Sequence, residues 1–425
     1  MKNHRWGWVA GMGVPLILTG CAGGQGQGTA STTTAPTPTT VSPTSTTAPV
    51  AADAGTWSLI PGGPYPAGEP VTWTGAELLV ARAGCCDDLG SVDLSTYDPA
   101  TNTWSMLPPT PLTPRGGAAG VWTGTEMVVA GGLASPDGTH AGAAPATDGA
   151  AWEAATNTWH PIAAMPTTLP GGDPTAVWTG REMLVWSSAP AIPGSAGREV
   201  VLAYNPSSNT WRILPPSGLT PRQNAVTVWT GKELVVWGGL NLDSTTAYGD
   251  GARLNPVTGT WRRLPAAPVP ARGQAAAAWS GHEVLIWGGD TGAGGPGRGI
   301  VGRGAAYDPA TNTWRALPLS PLRAKSWPTG VWTGRFFLII GGGEGSILPV
   351  PGPGAAAYDP STNRWTVLPT APSYPPPAPN GPTGPADQRF AGLAVWTGKA
   401  VVLVGGNDGV LQGPRSDGVE WAPAG

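Results

Sequence analysis

Five cations recur at one register of this 425-residue chain. Arg115, Arg222, Arg272, Lys325 and Arg389 each stand seven residues before a Trp that opens a repeated turn, and Pro66 and Gly171 hold the same register in the two other copies. A guanidinium matches a carboxylate through a planar fork of donors. If the five converge on one region, they suit carboxylates, acidic peptides or acidic sugars. If they stay in separate units, each would pair with an acid of a neighbouring unit or cap loop carbonyls. Asp173, Asp250, Asp290, Asp387 and Asp408 lie on the same stretches and are numerous enough to neutralise them. The sequence leaves both readings open.

Other chemistry is sparse. Cys85 and Cys86 are adjacent, with no third partner beyond Cys21. In an oxidising compartment they would form a vicinal disulfide that stiffens a loop and serves as a platform beneath a ligand; the alternative is an incidental pair. Glu77, Glu126, Glu182, Glu233 and Glu283 follow the turn Trp by four residues, which points to a hydrogen-bonding device at the turn and not to catalytic acids. The four His fall at His4, His140, His160 and His282 on unrelated stretches, so no common metal site is expected. The chain has no Gly-rich loop followed by Lys-Ser/Thr and no Gly-x-Ser-x-Gly elbow before a helix, and neither a cofactor nor a catalytic set is expected.

Two interleaved motifs must position these residues. The first, as in VWTGTEMVVAGG from Val121, has its Trp at 73, 122, 178, 229, 279, 332 and 396. The second, as in YDPATNTW from Tyr97, has its Trp at 57, 104, 159, 211, 261, 314 and 365. The spacing of about 50 residues is that of a repeat forming one four-stranded blade. Small residues such as Ala275–Trp279 suit an innermost strand A near the axis. The β-branched and aromatic run Glu233–Gly239 suits a buried strand B. Strand C ends at Tyr-Asp-Pro and strand D begins at Thr-Asn-Thr-Trp. Between them the Asp side chain bonds the backbone two residues on, and Asn accepts a left-handed conformation.

The ends close the ring. The last copy has strands A, B and C, with Trp421 in the Tyr position, and then lacks a Thr-Asn-Thr-Trp strand. Gly55–Leu59 supplies one, so the sequence predicts an all-β, seven-bladed propeller over 55–425 whose last blade takes its outer strand from the N-terminal side. These elements resemble the kelch-type propellers related to the central domain of galactose oxidase. The resemblance spans Thr56 to Pro423 and implies the fold far more firmly than a function. The Tyr, His and Tyr-linked Cys of copper-radical oxidases have no counterpart here. No residue set carries over from kelch-type sialate epimerases, and the sialidase Asp-box form is absent.

Outside the repeat, Lys2 and Arg5, the apolar Val9–Leu18 and Leu18-Thr19-Gly20-Cys21 resemble the signal and lipobox of bacterial lipoproteins, which implies acylation of Cys21 after cleavage. Residues 22–54 are almost entirely Gly, Gln, Thr, Ser, Pro and Ala, without an aromatic, which reads as a linker. Charged residues are 12% and net charge is −3, so nucleic-acid partners are not expected. In such a blade the A–B and C–D turns share one face and the B–C and D–A loops the other. The second set is longer and more varied, up to Pro369–Arg389, and is the expected binding face of a monomeric propeller. Three functions fit: a non-catalytic, membrane-anchored, extracytoplasmic module that recognises a glycan, peptide or envelope protein; a carbohydrate-active epimerase or lyase working with Arg and acids; or a structural part of an envelope complex.

Overall fold

The computed structural model describes residues 55–64, 67–82, 92–139, 142–171, 174–191, 196–295, 297–344, 354–372, 389–407 and 415–424. Within them the strands form seven four-stranded antiparallel sheets and one small three-stranded sheet. We number the blades 1 to 7, starting from the sheet with inner strand Ala67–Trp73, and letter each blade A to D from the axis outward. The inner strands follow one another in a closed circuit, and that of blade 7, Phe390–Trp396, adjoins that of blade 1. The expected seven-bladed propeller is therefore the observed fold.

Burial along each strand follows from its place in the ring. Strand A of blade 5, Ala276–Trp279, carries three alanines where seven strands crowd the axis. The B strands Leu234–Trp237, Val284–Trp287 and Phe337–Ile340 are buried throughout because both faces pack on neighbouring blades. The D strands lie at the rim, as in Thr103–Met106, where Trp104 is half-buried and its neighbours are exposed.

Seven hydrophobic clusters fill the seven interfaces between successive blades. Each receives two indoles from the later blade, such as Trp229 and Trp261 between blades 3 and 4. The outer indole also bridges the interface through its N–H. Trp104 donates to the Pro61 carbonyl at 2.8 Å, Trp261 to Pro215 at 2.8 Å and Trp314 to Pro265 at 3.1 Å. The acceptor always stands four residues after the previous blade's own outer Trp, so one register supplies both donor and acceptor. Trp57 closes the circle by donating to Pro369 at 2.8 Å.

Closure follows the expected scheme. Strand Thr56–Ile60 pairs with Gly418–Ala422, placing Thr56 opposite Ala422 and Trp57 opposite Trp421. Trp421 thus faces Val401 and Trp57 as Tyr97 faces Leu78 and Trp104. The C–D hairpin uses the expected bond, Asp98 Oδ1 accepting from the Ala100 N–H at 2.8 Å, with Asn102 at φ 56°. It also uses one the motif alone did not reveal, the Tyr97 hydroxyl donating to Asn102 Oδ1 at 2.9 Å. In blade 4, where Leu254 replaces the Tyr, Gly259 replaces the Asn and keeps the positive φ at 67°. Gly55 takes that position in blade 7 at φ 76°, where a Cβ would lie 2.2 Å from the Ala422 carbonyl oxygen.

Candidate functional site

All five register cations lie at the bases of the B–C and D–A loops, and all are buried, between 0% and 3% exposed. The four arginines fold back into their own blades. Arg222 donates from Nε to the Thr220 carbonyl at 2.7 Å, and from Nη1 to the Gly238 carbonyl at 3.0 Å and Asp250 Oδ1 at 2.7 Å. Arg115 does the same with Thr113, Gly131 and Asp148, where the two carboxylate contacts are 2.7 and 3.0 Å. Arg389 reaches Gly405 and Asp417, the latter at 2.6 Å. Lys325, too short to reach the equivalent carbonyl, pairs with Glu344 at 3.1 Å. Each of these arginines thus ties the start of strand A to the end of strand B and the start of strand C, and Lys325 reaches only the residues just past strand B. The acids belong to the same blade, a correction to the expected pairing with a neighbouring unit, because antiparallel meandering returns the B–C loop to the foot of strand A.

Arg272 stands apart. It donates to the carbonyls of Pro270, Gly288 and Arg303, at 2.9, 3.0 and 2.8 Å, and to no carboxylate among the described residues. Asp148, Asp250 and Asp417 each precede the Gly that opens strand C, and blade 5 has Arg303 in that place. Burial without a counter-charge pushes the Arg272 guanidinium down to about 10. Its Nη2, like that of Arg222, is buried without a hydrogen-bond partner among the described residues. The Arg115 hydrogen bonds hold the Asp148 carboxyl below the usual carboxylate range, with burial opposing.

The Gly pairs that end strand B are explained by the next blade. The Gly239, Gly289 and Gly342 N–H groups donate to the carbonyls of Arg272, Lys325 and Arg389 at 2.8, 2.7 and 2.8 Å. A Cβ on Gly341, at φ 65°, would lie 2.0 Å from the Arg389 carbonyl oxygen. Beyond the cations, short ladders extend the loop bases: Arg115–Gly116 pairs with Leu133–Ala134, and bridges join Gln223 to Leu240, Gly273 to Asp290 and Ser326 to Gly343. The loop face is a braced rim carrying exposed residues beyond its bases, among them Arg298, Leu319 and Arg323.

The opposite face, made of A–B and C–D turns, works differently. The Glu register serves as a hydrogen-bonding position at the start of strand B, as expected, and its backbone is held by the Thr of Trp-Thr-Gly: Thr179 Oγ1 donates to the Glu182 carbonyl at 3.0 Å and accepts from the Glu182 N–H at 2.9 Å. The Glu carboxylates point outward along the blade to meet cations. Glu182 binds Arg212 at 2.7 Å, Glu283 binds Arg315 at 2.6 Å, Glu233 binds Arg253 at 3.0 Å and Glu126 binds His160 at 2.9 Å. The arginines then reach the next blade, as Arg253 does at the Pro309 carbonyl, 2.7 Å away. Cys21, Cys85, Cys86, His140, Asp173, Asp387, Asp408 and Tyr374–Pro377 lie outside the described residues. Among the described residues no three His, Cys, Asp or Glu side chains gather in a metal-binding group.

No curated protein matches the chain. The family model of the KLHDC2/KLHL20/DRC7 Kelch-repeats domain matches residues 173–406, more than half of its length. With seven four-stranded blades, Gly pairs closing strand B and Tyr-Asp-Pro hairpins around the ring, this chain belongs to the Kelch-repeat family.

Proposed function

We propose that this propeller is a non-catalytic binding module, anchored to the outside of a bacterial membrane through Cys21, that recognises a protein partner with its loop face. The observation that carries the reading is the contrast within that face: loop bases tied down by buried Arg–Asp clamps and loop tips left exposed. A rigid rim with varied tips is the arrangement that specific recognition requires. In this reading Arg115, Arg222, Arg272, Lys325 and Arg389 act by fixing the loops, since direct ligand contact would require them to leave internal bonds. Cys85 and Cys86 fall in sequence between strands B and C of blade 1, outside the described residues. The extracytoplasmic location favours their pairing as a platform there.

Photo-crosslinking in intact cells tests this, with the reactive residue placed in turn at Leu319 and Arg323 on the loop face and at Arg181 on the turn face. One discrete protein adduct from the loop positions alone is expected. Adducts only from position 181, or none from the loops, would overturn the reading. Anchoring is read separately, as uptake of a labelled acyl chain that Cys21→Ser abolishes.

A further inference from the structure

The turn face carries a register that no part of the binding reading uses. Three residues after the Trp of strand A stand Arg181, Lys232, His282, Arg335 and Lys399, in five consecutive blades, and all five are exposed. Blades 1 and 2 have Ala76 and Thr125 there. The acids next to them are already engaged, because Glu182, Glu233 and Glu283 bind Arg212, Arg253 and Arg315. On the C–D turns, blades 3 and 4 have Asn205 and Asn255 where blades 1, 5 and 6 have Asp98, Asp308 and Asp359. Arg335 is 3.7 Å from Asp359, but Arg181, Lys232 and Lys399 pair with no carboxylate among the described residues. The result is a cationic arc on a chain whose net charge is −3.

Two further features fit this arc to a lipid surface. A groove of about 400 Å³ opens between blades 5 and 6, where Arg335, His282 and the half-buried Trp332 share the lining with Glu283, already held by Arg315, and with Asp359, 3.7 Å from Arg335. The amphipathic indole at this surface suits a water–lipid interface. Val257, on the C–D turn of blade 4, is 91% exposed beside the arc. The point where the chain enters the ring decides the direction. Strand Thr56–Ile60 starts opposite Ala422, the end of strand C, so residue 55 lies on the turn face. The segment 22–54 leading back to Cys21 therefore leaves from the side that bears the arc. By coil statistics that number of residues corresponds to about 30 Å, short enough to keep this face near its anchor.

We propose that the turn face docks on anionic lipid headgroups, so that the propeller sits on the membrane with its loop face turned outward. This rests on the Cys21 anchor of the proposed function.

The test is co-sedimentation of the full chain carrying Cys21→Ser with vesicles of phosphatidylcholine alone or mixed with phosphatidylglycerol. Salt-sensitive binding to the mixed vesicles alone is expected. Arg181→Gln, Lys232→Gln and Lys399→Gln together should lower the partition by about a hundredfold, about fivefold per cation. The matched loop-face set Arg298→Gln, Arg303→Gln and Arg323→Gln should leave it unchanged. Equal loss in both sets, undiminished binding by the turn-face set, or capture by heparin beads without vesicle binding would each overturn the proposal. Because the tested chain has no acylated Cys, vesicle binding by a protein that takes up no acyl label in cells removes the anchor and upholds the docking face.

Discussion

Arg222 and Arg335 stand on opposite faces of one ring and show two uses of the same side chain. Arg222 is 0% exposed, holds two backbone carbonyls of its own blade and meets Asp250 at 2.7 Å. The Arg335 side chain is 72% exposed, with its nearest carboxylate 3.7 Å away. On the loop face, charge is internal and braces the connections that vary most. On the turn face the connections are short and close by backbone and Thr bonds, so the cations of the A–B turns, such as Arg181, Lys232 and Lys399, are not needed to hold them, while Arg212, Arg253 and Arg315 staple one blade to the next. Bracing goes where loops are long, and free charge remains where the hairpins support themselves.

The sharpest way to break this contrast is to remove one buried clamp and one surface staple. Arg389→Ala leaves two buried carbonyls without their donor, while Asp417 keeps Arg415 as its remaining cation. Its loss should cost about 2–3 kcal/mol in chemical denaturation. Arg212→Ala on the turn face, where the Arg is 41% exposed, should cost less than about 1 kcal/mol. Similar costs for the two would erase the distinction.

Glycine offers the next test. Gly341 and Gly334 both have positive φ, at 65° and 86°, but a Cβ meets the Arg389 carbonyl in the first case and nothing within 4 Å in the second. Gly334→Ala should cost about 1 kcal/mol for its backbone conformation alone. Gly341→Ala should cost at least twice that, because backbone must move. Restoring a clamp sharpens the comparison: Arg303→Asp returns the carboxylate that blade 5 lacks beside Arg272 and should raise stability by about 1 kcal/mol.

The smallest effect is in pH, and its sign differs between faces. Hydrogen bonds from Arg115 lower the Asp148 carboxyl, so its contribution is present above the unfolded value of 3.8 and is lost as pH falls through the lower folded value. The Glu126 bond raises His160, so that contribution is present below 6.5 and is lost as pH rises through the higher folded value. With His160 46% exposed, the second should be about 0.5 kcal/mol. Glu126→Gln should abolish the alkaline loss and leave the acid one; loss of both would couple the faces.

Much of the ring could be read before folding because its determinants are local and repeated. A Trp-Thr-Gly turn, an Asp two residues before the N–H it accepts and an Asn at positive φ each act within a few residues, so the motif specifies the hairpin wherever it occurs. Counting them fixed seven blades, and the unmatched motif at each end foretold that Thr56–Ile60 would complete blade 7. The arc was also in plain register, three residues after five of the seven Trp, but the sequence could not say that Glu182, Glu233 and Glu283 would be occupied by Arg212, Arg253 and Arg315.

The cation register before strand A was equally visible, but its meaning was not. Arg222 finds its carbonyl 16 residues on and its carboxylate 28 residues on, across a loop whose path only the packed blade determines. Nothing local to the register distinguishes a guanidinium folded into its own blade from one turned to the channel mouth. Local hydrogen bonding therefore made the repeat, the strand order and the closure legible in the sequence. Tertiary packing decided which charges were buried as braces and which stayed at the surface, because a charge leaves water only where the folded chain supplies partners for it.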